Sequence, residues 1–264
     1  MRIAVVGAGR WGAVHCEKVK RHSIAELVGV VDCEGSKADE LAHRYGTSSF
    51  RCLGDCADAD AVIIASSIHS LPTLASEAMA LGIPFLVEKP VSIKTGTLKG
   101  LMERGGALGS NGLVGYQLRY HPKLRGIMHD KCYRFVRRED HFSTVEALLE
   151  DCGVHELDLA HYLLGPKLEF SVIHKDAGAL SVRVVAESGR SMDFVWRIGR
   201  SRLRELSSDS GLIDFTRNDY DLLTMQLDHF VSSAEGGKVC GARISDAYAV
   251  AEAYESIREQ VGFG

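Results

Sequence analysis

The segment that decides the fold is Gly7-Ala8-Gly9-Arg10-Trp11-Gly12, which follows the apolar run Ile3-Ala4-Val5-Val6. A G-x-G-x-x-G sequence between a buried strand and a helix makes a tight turn at its first glycine. The second glycine leaves room for a pyrophosphate, and the third lets the helix pack closely on the strand. The amino end of that helix then faces the phosphate charge. The segment therefore predicts a dinucleotide-binding turn.

The first half of the chain alternates between two periodicities. Short apolar runs of the kind found in buried parallel strands recur five times, at residues 3–6, 25–31, 61–65, 84–87 and 112–116. Helical patterns separate most of these runs, which is typical of βαβ units. We therefore expect an α/β fold that begins with a doubly wound parallel sheet, a Rossmann domain over residues 1–118.

The second half of the chain has a different pattern. Residues 181–186 and 192–198 alternate apolar and polar side chains around the turn sequence Glu187-Ser188-Gly189-Arg190, which predicts a β-hairpin. Met192, Phe194, Trp196 and Ile198 would share the face that packs on helices. We assign residues 119–264 to a second α/β domain for substrate binding and oligomerisation.

Asp32 stands at the end of the second predicted strand, 20 residues after Gly12. A carboxylate at this place accepts hydrogen bonds from the adenosine ribose hydroxyls. It would also repel a 2′-phosphate, and Cys33 brings no compensating cation. We therefore predict NAD as the cofactor, while Arg10 and Lys37 leave NADP possible.

Glu88-Lys89-Pro90 stands at the carboxyl end of a predicted parallel strand. Open α/β sheets bind their ligands at this edge. Lys89 is therefore a candidate functional residue, although an ordinary solvated lysine at a strand end fits the same position.

A titratable stripe is predicted on the helix near residues 153–164. At 100° per residue, Asp151, His155, Asp158 and Tyr162 fall at about 0°, 40°, −20° and 20°. The apolar residues form a separate face, made by Val154, Leu157, Ala160 and Leu164. An Asp–His pair four residues apart can fix the tautomer of the imidazole and raise its basicity. Alternatively, Asp151 is an N-cap and the stripe is an exposed polar face.

The order of these motifs resembles that of the Gfo/Idh/MocA family, named for glucose–fructose oxidoreductase and inositol dehydrogenase. The resemblance rests on the glycine loop, on Glu88-Lys89-Pro90, on residues 115–122, on Asp151-x-Gly153-x-His155-x-x-Asp158, and on residues 211–214. It implies an N-terminal Rossmann domain and a C-terminal domain with a largely antiparallel open sheet. The open face of that sheet is a usual oligomer contact in the family, so we expect a homodimer or homotetramer.

The resemblance also implies the roles of individual residues. Lys89, Asp151 and His155 match the catalytic group of the family, and Asp158 matches an aspartate that holds substrate hydroxyls. We place Tyr162 and Arg119 with Asp158 as substrate-binding residues. Ser66-Ser67 stands where the family commonly has a Thr-Pro pair near the nicotinamide. The predicted cofactor-binding residues are Gly7, Gly9, Arg10, Trp11, Gly12, Asp32, Ser66, Ser67, Glu88 and Lys89.

The function expected from these residues is reversible hydride transfer between a nicotinamide and a secondary alcohol of a sugar, a cyclitol or a sugar derivative. His155 would be the general base, since a base with a pKa near 7 suits this task and histidine needs little tuning, and Lys89 would stabilise the developing alkoxide. The alternatives are an NAD-dependent glycosidase that oxidises its sugar transiently, a non-catalytic dinucleotide-binding sensor, and reduction of an imine or tetrapyrrole-like substrate.

The composition narrows the choice of partners. The chain of 264 residues is 45% hydrophobic and 25% charged, with 31 basic and 35 acidic residues and a net charge of −4. We therefore expect no binding to nucleic acid or to an anionic membrane. No apolar run approaches the roughly 20 residues that span a bilayer. The start at Met1-Arg2-Ile3 lacks the pattern of a signal peptide, which favours a cytoplasmic location.

The cysteines are not spaced like metal ligands. Seven are spread along the chain, at Cys16, Cys33, Cys52, Cys56, Cys132, Cys152 and Cys240. We predict reduced thiols that pack as small apolar side chains, and no metal site.

Overall fold

The structure, a computed structural model, describes residues 1–56, 58–108, 112–217, 219–237 and 241–263. The chain divides into two units. The N-terminal unit comprises Met1–Tyr116 and Leu223–Ala247, and the second unit comprises Gln117–Leu222 and Tyr248–Gly264. The first crossing between units therefore lies within two residues of the predicted domain boundary. The return of residues 223–247 to the N-terminal unit departs from the predicted division, which had one boundary.

The N-terminal unit contains a six-stranded parallel sheet in the order β3-β2-β1-β4-β5-β6. This is the strand order of a Rossmann fold. The strands are β1 (Arg2–Val6), β2 (Glu26–Val31), β3 (Ser48–Phe50), β4 (Ala61–Ile64), β5 (Phe85–Val87) and β6 (Gly112–Val114). The helices between them are α1 (Arg10–Arg21), α2 (Gly35–Tyr45), α3 (Leu71–Ala80) and α4 (Thr95–Leu108). The predicted doubly wound sheet is confirmed.

The core of the N-terminal unit forms because its central strands are apolar on both faces. Every residue of β4 and β5 is buried, as the uninterrupted apolar runs predict. Residues of a later helix join this core: Leu227, Phe230 and Val231 pack with Ile3 and Val5 of the first strand. This packing explains why the chain returns to the N-terminal unit after the second sheet.

The second unit contains a six-stranded mixed sheet in the order β12-β11-β7-β10-β9-β8. Its strands are β7 (Cys132–Glu139), β8 (Leu168–Lys175), β9 (Ala179–Ala186), β10 (Ser191–Ile198), β11 (Leu203–Ser208) and β12 (Gly211–Asp214). Only β7 and β10 pair in parallel among the described strands of this sheet, so its largely antiparallel character is confirmed.

Further helices occur after α4 in the sequence. They are α5 (Leu124–Ile127), α6 (Val145–Leu148), α7 (Val154–Leu164), α8 (Leu222–Ala234) and α9 (Ile244–Val261). Among the described helices, none is both long enough and apolar enough to cross a membrane.

The predicted hairpin is formed by β9 and β10. Met192, Phe194 and Trp196 are wholly buried on one face of β10, while Arg197 on the other face is exposed. On the neighbouring strand Val185 is 39% exposed, so the open face of the sheet carries apolar as well as charged side chains. This distribution follows from the period of two along each strand.

Candidate active site

The glycine loop connects β1 to α1 with the geometry that its sequence predicts. Gly7 has a φ of 106°, and a Cβ there would lie 2.4 Å from the carbonyl oxygen of Ala65. A Cβ on Gly12 would lie 1.7 Å from the carbonyl oxygen of Gly7, so the third glycine lets the helix pack on the strand. A Cβ on Gly9 would meet no atom within 4 Å. The second glycine therefore leaves open space at the amino end of α1.

A cavity of about 400 Å³ lies over this loop in the N-terminal unit. It is lined by nine of the ten predicted cofactor-binding residues, namely Gly7, Gly9, Arg10, Trp11, Asp32, Ser66, Ser67, Glu88 and Lys89. Gly12 does not line the cavity, because it packs against the loop itself. Cys33, Glu34 and Lys37 complete one side.

Asp32 is held in place by two backbone N–H groups. Its Oδ2 accepts from Ala8 at 2.7 Å, and its Oδ1 accepts from Glu34 at 2.9 Å. A carboxylate has about four lone-pair sites, so acceptor capacity remains on both oxygens. Lys37 donates to Glu34 Oε1 at 2.6 Å. On this side the cavity therefore carries the carboxylates of Asp32 and Glu34, and Lys37 is paired with Glu34.

A second, more apolar cavity of about 360 Å³ adjoins Asp32. Its lining includes Val31, Cys33, Leu53, Thr73 and Leu74. The apolar side chains suit a flat ring such as adenine, and the adjacent carboxylate suits the ribose hydroxyls. Together the two cavities fit the adenosine, pyrophosphate and nicotinamide parts of NAD.

Lys89 follows β5 and lines the first cavity, as its position at the carboxyl end of a parallel strand predicts. Its neighbour Glu88 is buried, with 8% of its surface exposed. His15 of α1, which is 3% exposed, hydrogen-bonds through Nε2 to Glu88 Oε1 at 2.7 Å. The sequence pattern did not indicate His15, because a lone histidine in a helix carries no spacing signal.

The helix that carries Asp151 and His155 differs from the predicted one. Thr144 caps its start, with Oγ1 accepting from the Ala147 N–H at 3.1 Å, and a π-helical segment at Leu149–Gly153 joins α6 to α7. Asp151 therefore lies inside a continuous helical stretch, and the N-cap alternative is wrong. The angle of 100° per residue holds along α7 but not across the π-helical segment. Such segments often occur at functional sites.

The predicted titratable stripe is not simply an exposed polar face, because two of its four side chains are buried. His155 is 6% exposed and Asp158 is wholly buried, whereas Asp151 is exposed and Tyr162 is half-buried. The predicted apolar face is confirmed, since its four residues are all buried: Val154, Leu157, Ala160 and Leu164. The helix is thus enclosed on more than one side.

The three predicted substrate-binding residues form one cluster in the second unit. Arg119 donates to Asp158 Oδ2 from Nε at 2.7 Å and to Oδ1 from Nη2 at 2.5 Å. The guanidinium carbon lies 5.3 Å from the centre of the Tyr162 ring, a distance typical of a cation–π contact. Asp158 therefore fixes Arg119, and its own carboxylate is shielded from solvent.

A buried charged group supports α7 from the sheet and was not predicted. Glu156 is wholly buried, its Oε1 lies 3.0 Å from Arg137 Nε, and its Oε2 accepts from Trp196 Nε1 at 3.1 Å. Burial lowers the pKa of Arg137, but Glu156, Cys152 and Glu139 together outweigh burial and the net pKa is raised. These contacts hold the helix of His155 against β7 and β10.

The cysteines follow the prediction in part. Cys16 and Cys56 are buried, and burial raises the pKa of the Cys16 thiol to about 12. Cys33 and Cys52 are exposed and line the second, more apolar cavity. Cys132 is also exposed and Cys152 is half-buried, while Cys240 lies outside the described residues.

One group of possible metal ligands occurs among the described residues, at Glu139, Asp140 and His141. Glu139 is buried and forms ion pairs with arginines 137, 202 and 204. Such a cationic environment opposes the binding of a metal ion.

The N-terminal part of the chain matches the model of a known protein family. Residues 1–111 match the Gfo/Idh/MocA model, described as an oxidoreductase family with an NAD-binding Rossmann fold. Over these residues the chain is similar to the NAD-binding oxidoreductases of that family. The family resemblance is confirmed, as is the assignment of NAD as cofactor. The open space at Gly9 and the carboxylate of Asp32 in the same cavity fit that cofactor.

Two curated relatives of this oxidoreductase come from Rhizobium meliloti. The rhizopine catabolism protein MocA is 25% identical over 98% of this chain and 94% of its own length. An inositol 2-dehydrogenase of strain 1021 is 24% identical over 62% of this chain and 55% of its own length.

The fold of the oxidoreductase is also that of solved structures. A myo-inositol dehydrogenase from Lactobacillus casei, solved with NAD(H) and myo-inositol, superposes with a TM-score of 0.85. The superposition covers 99% of this chain and 94% of that one, at 15% identity. At this identity the likeness shows the fold of the whole chain and no more.

Proposed function

We propose that this oxidoreductase uses NAD to oxidise, reversibly, a secondary alcohol of a sugar, a cyclitol or a related polyhydroxylated compound. The observation that carries the proposal is the position of Lys89, which lines the same cavity as the glycine loop and Asp32. An ammonium group at the cofactor cavity suits the stabilisation of an alkoxide. The similarity to an inositol 2-dehydrogenase and to a myo-inositol dehydrogenase supports the substrate class.

The cofactor is held by the residues of the N-terminal unit. The backbone at Gly9 and the amino end of α1 receive the pyrophosphate, and Asp32 accepts from the ribose hydroxyls. When bound, NAD supplies the acceptor for the hydride of the alcohol. The role of the protein is to bind, to orient and to move a proton.

The proton is handled by the residues of the second unit. His155 takes the proton of the substrate hydroxyl as general base, because an ordinary histidine pKa near 6.5 lies close to neutral pH. Asp151, four residues earlier, orients the imidazole. Lys89 lines the cofactor cavity, and its ammonium group stabilises the negative charge that develops on the substrate. Removing one such donor in an oxyanion site costs about 3–4 kcal/mol in the barrier.

Substrate hydroxyls are bound by the cluster of Arg119, Asp158 and Tyr162. Because Asp158 is wholly buried and bonded to Arg119, we assign the direct contacts to Arg119 and Tyr162. The ion pair neutralises the charge of the guanidinium in part, which favours a neutral polyol over an anionic substrate.

The test compares Lys89→Ala and His155→Ala with two matched controls, Lys94→Ala and His129→Ala, whose side chains are exposed. NADH formation is followed with a panel of sugars, cyclitols and nucleotide sugars. NAD affinity is measured separately through the fluorescence of bound NADH. We expect kcat to fall by about two orders of magnitude or more in both active-site variants, with both controls unchanged.

Two outcomes would reject the proposal. Turnover near wild type in Lys89→Ala and His155→Ala would remove both residues from the chemistry. Cleavage of a glycoside without net formation of NADH would assign the chain to the glycosidase alternative.

We further propose that the open face of the second sheet binds a second copy of the chain, in a homodimer or homotetramer. Ile173, Val185 and Leu212 are exposed on β8, β9 and β12, at 57%, 39% and 56%. Light scattering coupled to gel filtration tests this, comparing Val185→Asp with the exposed charge change Lys94→Asp. A monomeric wild type would contradict it.

A further inference from the structure

Glu88 is a buried carboxylate whose two oxygens have separate partners. Oε1 accepts from His15 Nε2 at 2.7 Å, and Oε2 accepts from the backbone N–H of Lys89 at 3.1 Å. The three residues thus form a chain of contacts that runs from α1 to the backbone of the lysine. All three belong to the N-terminal unit.

The end of β6 leaves room for this carboxylate. A Cβ on Gly115 would lie 3.0 Å from Glu88 Oε2 and 3.3 Å from the Cα of Glu88. A side chain there would therefore push the carboxylate away from the Lys89 N–H. Glycine at 115 and histidine at 15 limit the positions of Glu88 from two sides.

We propose that His15 is a positioning residue for Lys89, and the inference rests on the proposed role of Lys89 at the substrate oxygen. His15 fixes the rotamer of Glu88, and Glu88 fixes the peptide N–H from which the lysine side chain extends. A buried acceptor keeps its geometry when each oxygen has a donor. With the His15 donor removed, Glu88 turns toward another donor and the backbone of Lys89 is released.

A small displacement of Lys89 is enough to lower the reaction rate. Misplacement of a catalytic group by about 1 Å can cost about a hundredfold in rate. The glycine loop at residues 7–12 and Asp32 are not part of this chain of contacts, so the parts of the cavity that hold the pyrophosphate and the ribose keep their geometry. The effect therefore falls mainly on kcat and changes the affinity for NAD little.

The experiment compares His15→Leu, which removes the donor, with His15→Gln, whose amide can still donate to Glu88. His43→Leu is the matched control, since His43 is an exposed histidine of α2 in the same unit. We expect kcat to fall by between about tenfold and about a hundredfold in His15→Leu. His15→Gln should recover most of the loss, and the Kd for NADH should stay within about twofold in all three.

Amide hydrogen exchange provides a readout that does not depend on activity. The Lys89 N–H should exchange faster in His15→Leu, while amides of β4 and β5 keep their protection. Faster exchange throughout the sheet would instead reveal a general loss of stability and would overturn the specific role. Gly115→Ala should reproduce the fast exchange at Lys89.

Lys89→Ala in the same assays separates the two proposals. Wild-type kcat in His15→Leu, together with a large loss in Lys89→Ala, overturns the positioning role and leaves the proposed function intact. Wild-type kcat in Lys89→Ala overturns both.

Discussion

Asp158 and Arg119 form a bidentate ion pair in which both carboxylate oxygens accept from the guanidinium, at 2.7 and 2.5 Å. The Asp158 side chain is wholly buried and that of Arg119 is 7% exposed. Parallel bonds of this kind fix the plane of a guanidinium as well as its position. The pair therefore gives the candidate substrate site a rigid donor above the Tyr162 ring.

Removal of either partner of this ion pair should lower the free energy of unfolding. Asp158→Ala leaves the Arg119 charge buried without its bidentate partner, and such losses typically cost about 3–5 kcal/mol in the free energy of unfolding. Urea denaturation measures this, with the exposed Asp140→Ala as control, for which we expect a change below about 0.5 kcal/mol. Asp158→Asn, which keeps the shape, should raise KM for the polyol more than it lowers kcat. Equal losses of stability in Asp158→Ala and Asp140→Ala would contradict the prediction.

The glycine loop allows a prediction that separates folding from cofactor binding. Gly9 has a φ of −81° and open space at its Cβ, so Gly9→Ala should fold with wild-type stability. Its methyl group would occupy the side of the loop that faces the cofactor, and NAD affinity should fall by about tenfold or more. Gly12→Ala, in contrast, meets the Gly7 carbonyl and should unfold at clearly lower urea concentration. Thermal and urea unfolding with NADH titration distinguish the two.

Much of the N-terminal unit could be predicted because its strands are continuous apolar runs. β3 escaped prediction, since Ser48 and Ser49 are polar and the strand has three residues at the sheet edge. The return of α8 to this unit was missed for a different reason. Its apolar face is visible in the sequence, but the surface it covers is set by long-range packing with Ile3 and Val5.

In the candidate site too, some features could be predicted from the sequence and others could not. Lys89 and Asp32 could be found from their places after apolar strands. The π-helical segment before His155 could not, because a fixed angle per residue assumes a regular helix. Glu156 falls between the two predicted faces of α7, and its burial depends on Arg137 and Trp196, which come from distant strands. Sequence periodicity carries no information about such partners.

Cofactor preference should depend on Glu34 as well as on Asp32. Glu34 lines the cofactor cavity and binds Lys37 at 2.6 Å, so it adds a negative charge and occupies the lysine. Glu34→Gln should lower the Kd for NADP by about tenfold, equivalent to about 1.4 kcal/mol, and change the Kd for NAD little. Adding Lys37→Ala should cancel that gain.

The control for this prediction is Glu40→Gln, on the helix α2 that Glu34 precedes. Glu40 is exposed and pairs with Arg44, and it does not line the cavity. Fluorescence titration with NADH and NADPH gives both constants. An equal gain in NADPH affinity for Glu34→Gln and Glu40→Gln would show that net charge alone, and not the cavity, sets the preference.

The stability of the chain should fall in mild acid partly through His121. Burial, and then the charge of Lys123, hold the pKa of this histidine below its ordinary value. Its ring lies edge-on between Phe215 and Tyr220, at 4.9 and 5.0 Å between ring centres. Because the unfolded chain binds the proton more readily, stability is fully present above an ordinary histidine pKa of about 6.5. It is lost as the pH falls from that value through the folded pKa.

His121→Asn isolates this contribution. The asparagine oxygen can accept from the Lys123 N–H, as Nδ1 of His121 does at 3.3 Å, but it does not titrate. Urea denaturation at a series of pH values between 8 and 5 should give a shallower loss of unfolding free energy for His121→Asn than for the wild type. His129→Asn, at an exposed histidine of the same unit, should follow the wild-type curve. Parallel curves for wild type and His121→Asn would mean that the buried ring does not drive the acid sensitivity, because every other titrating group is common to both proteins.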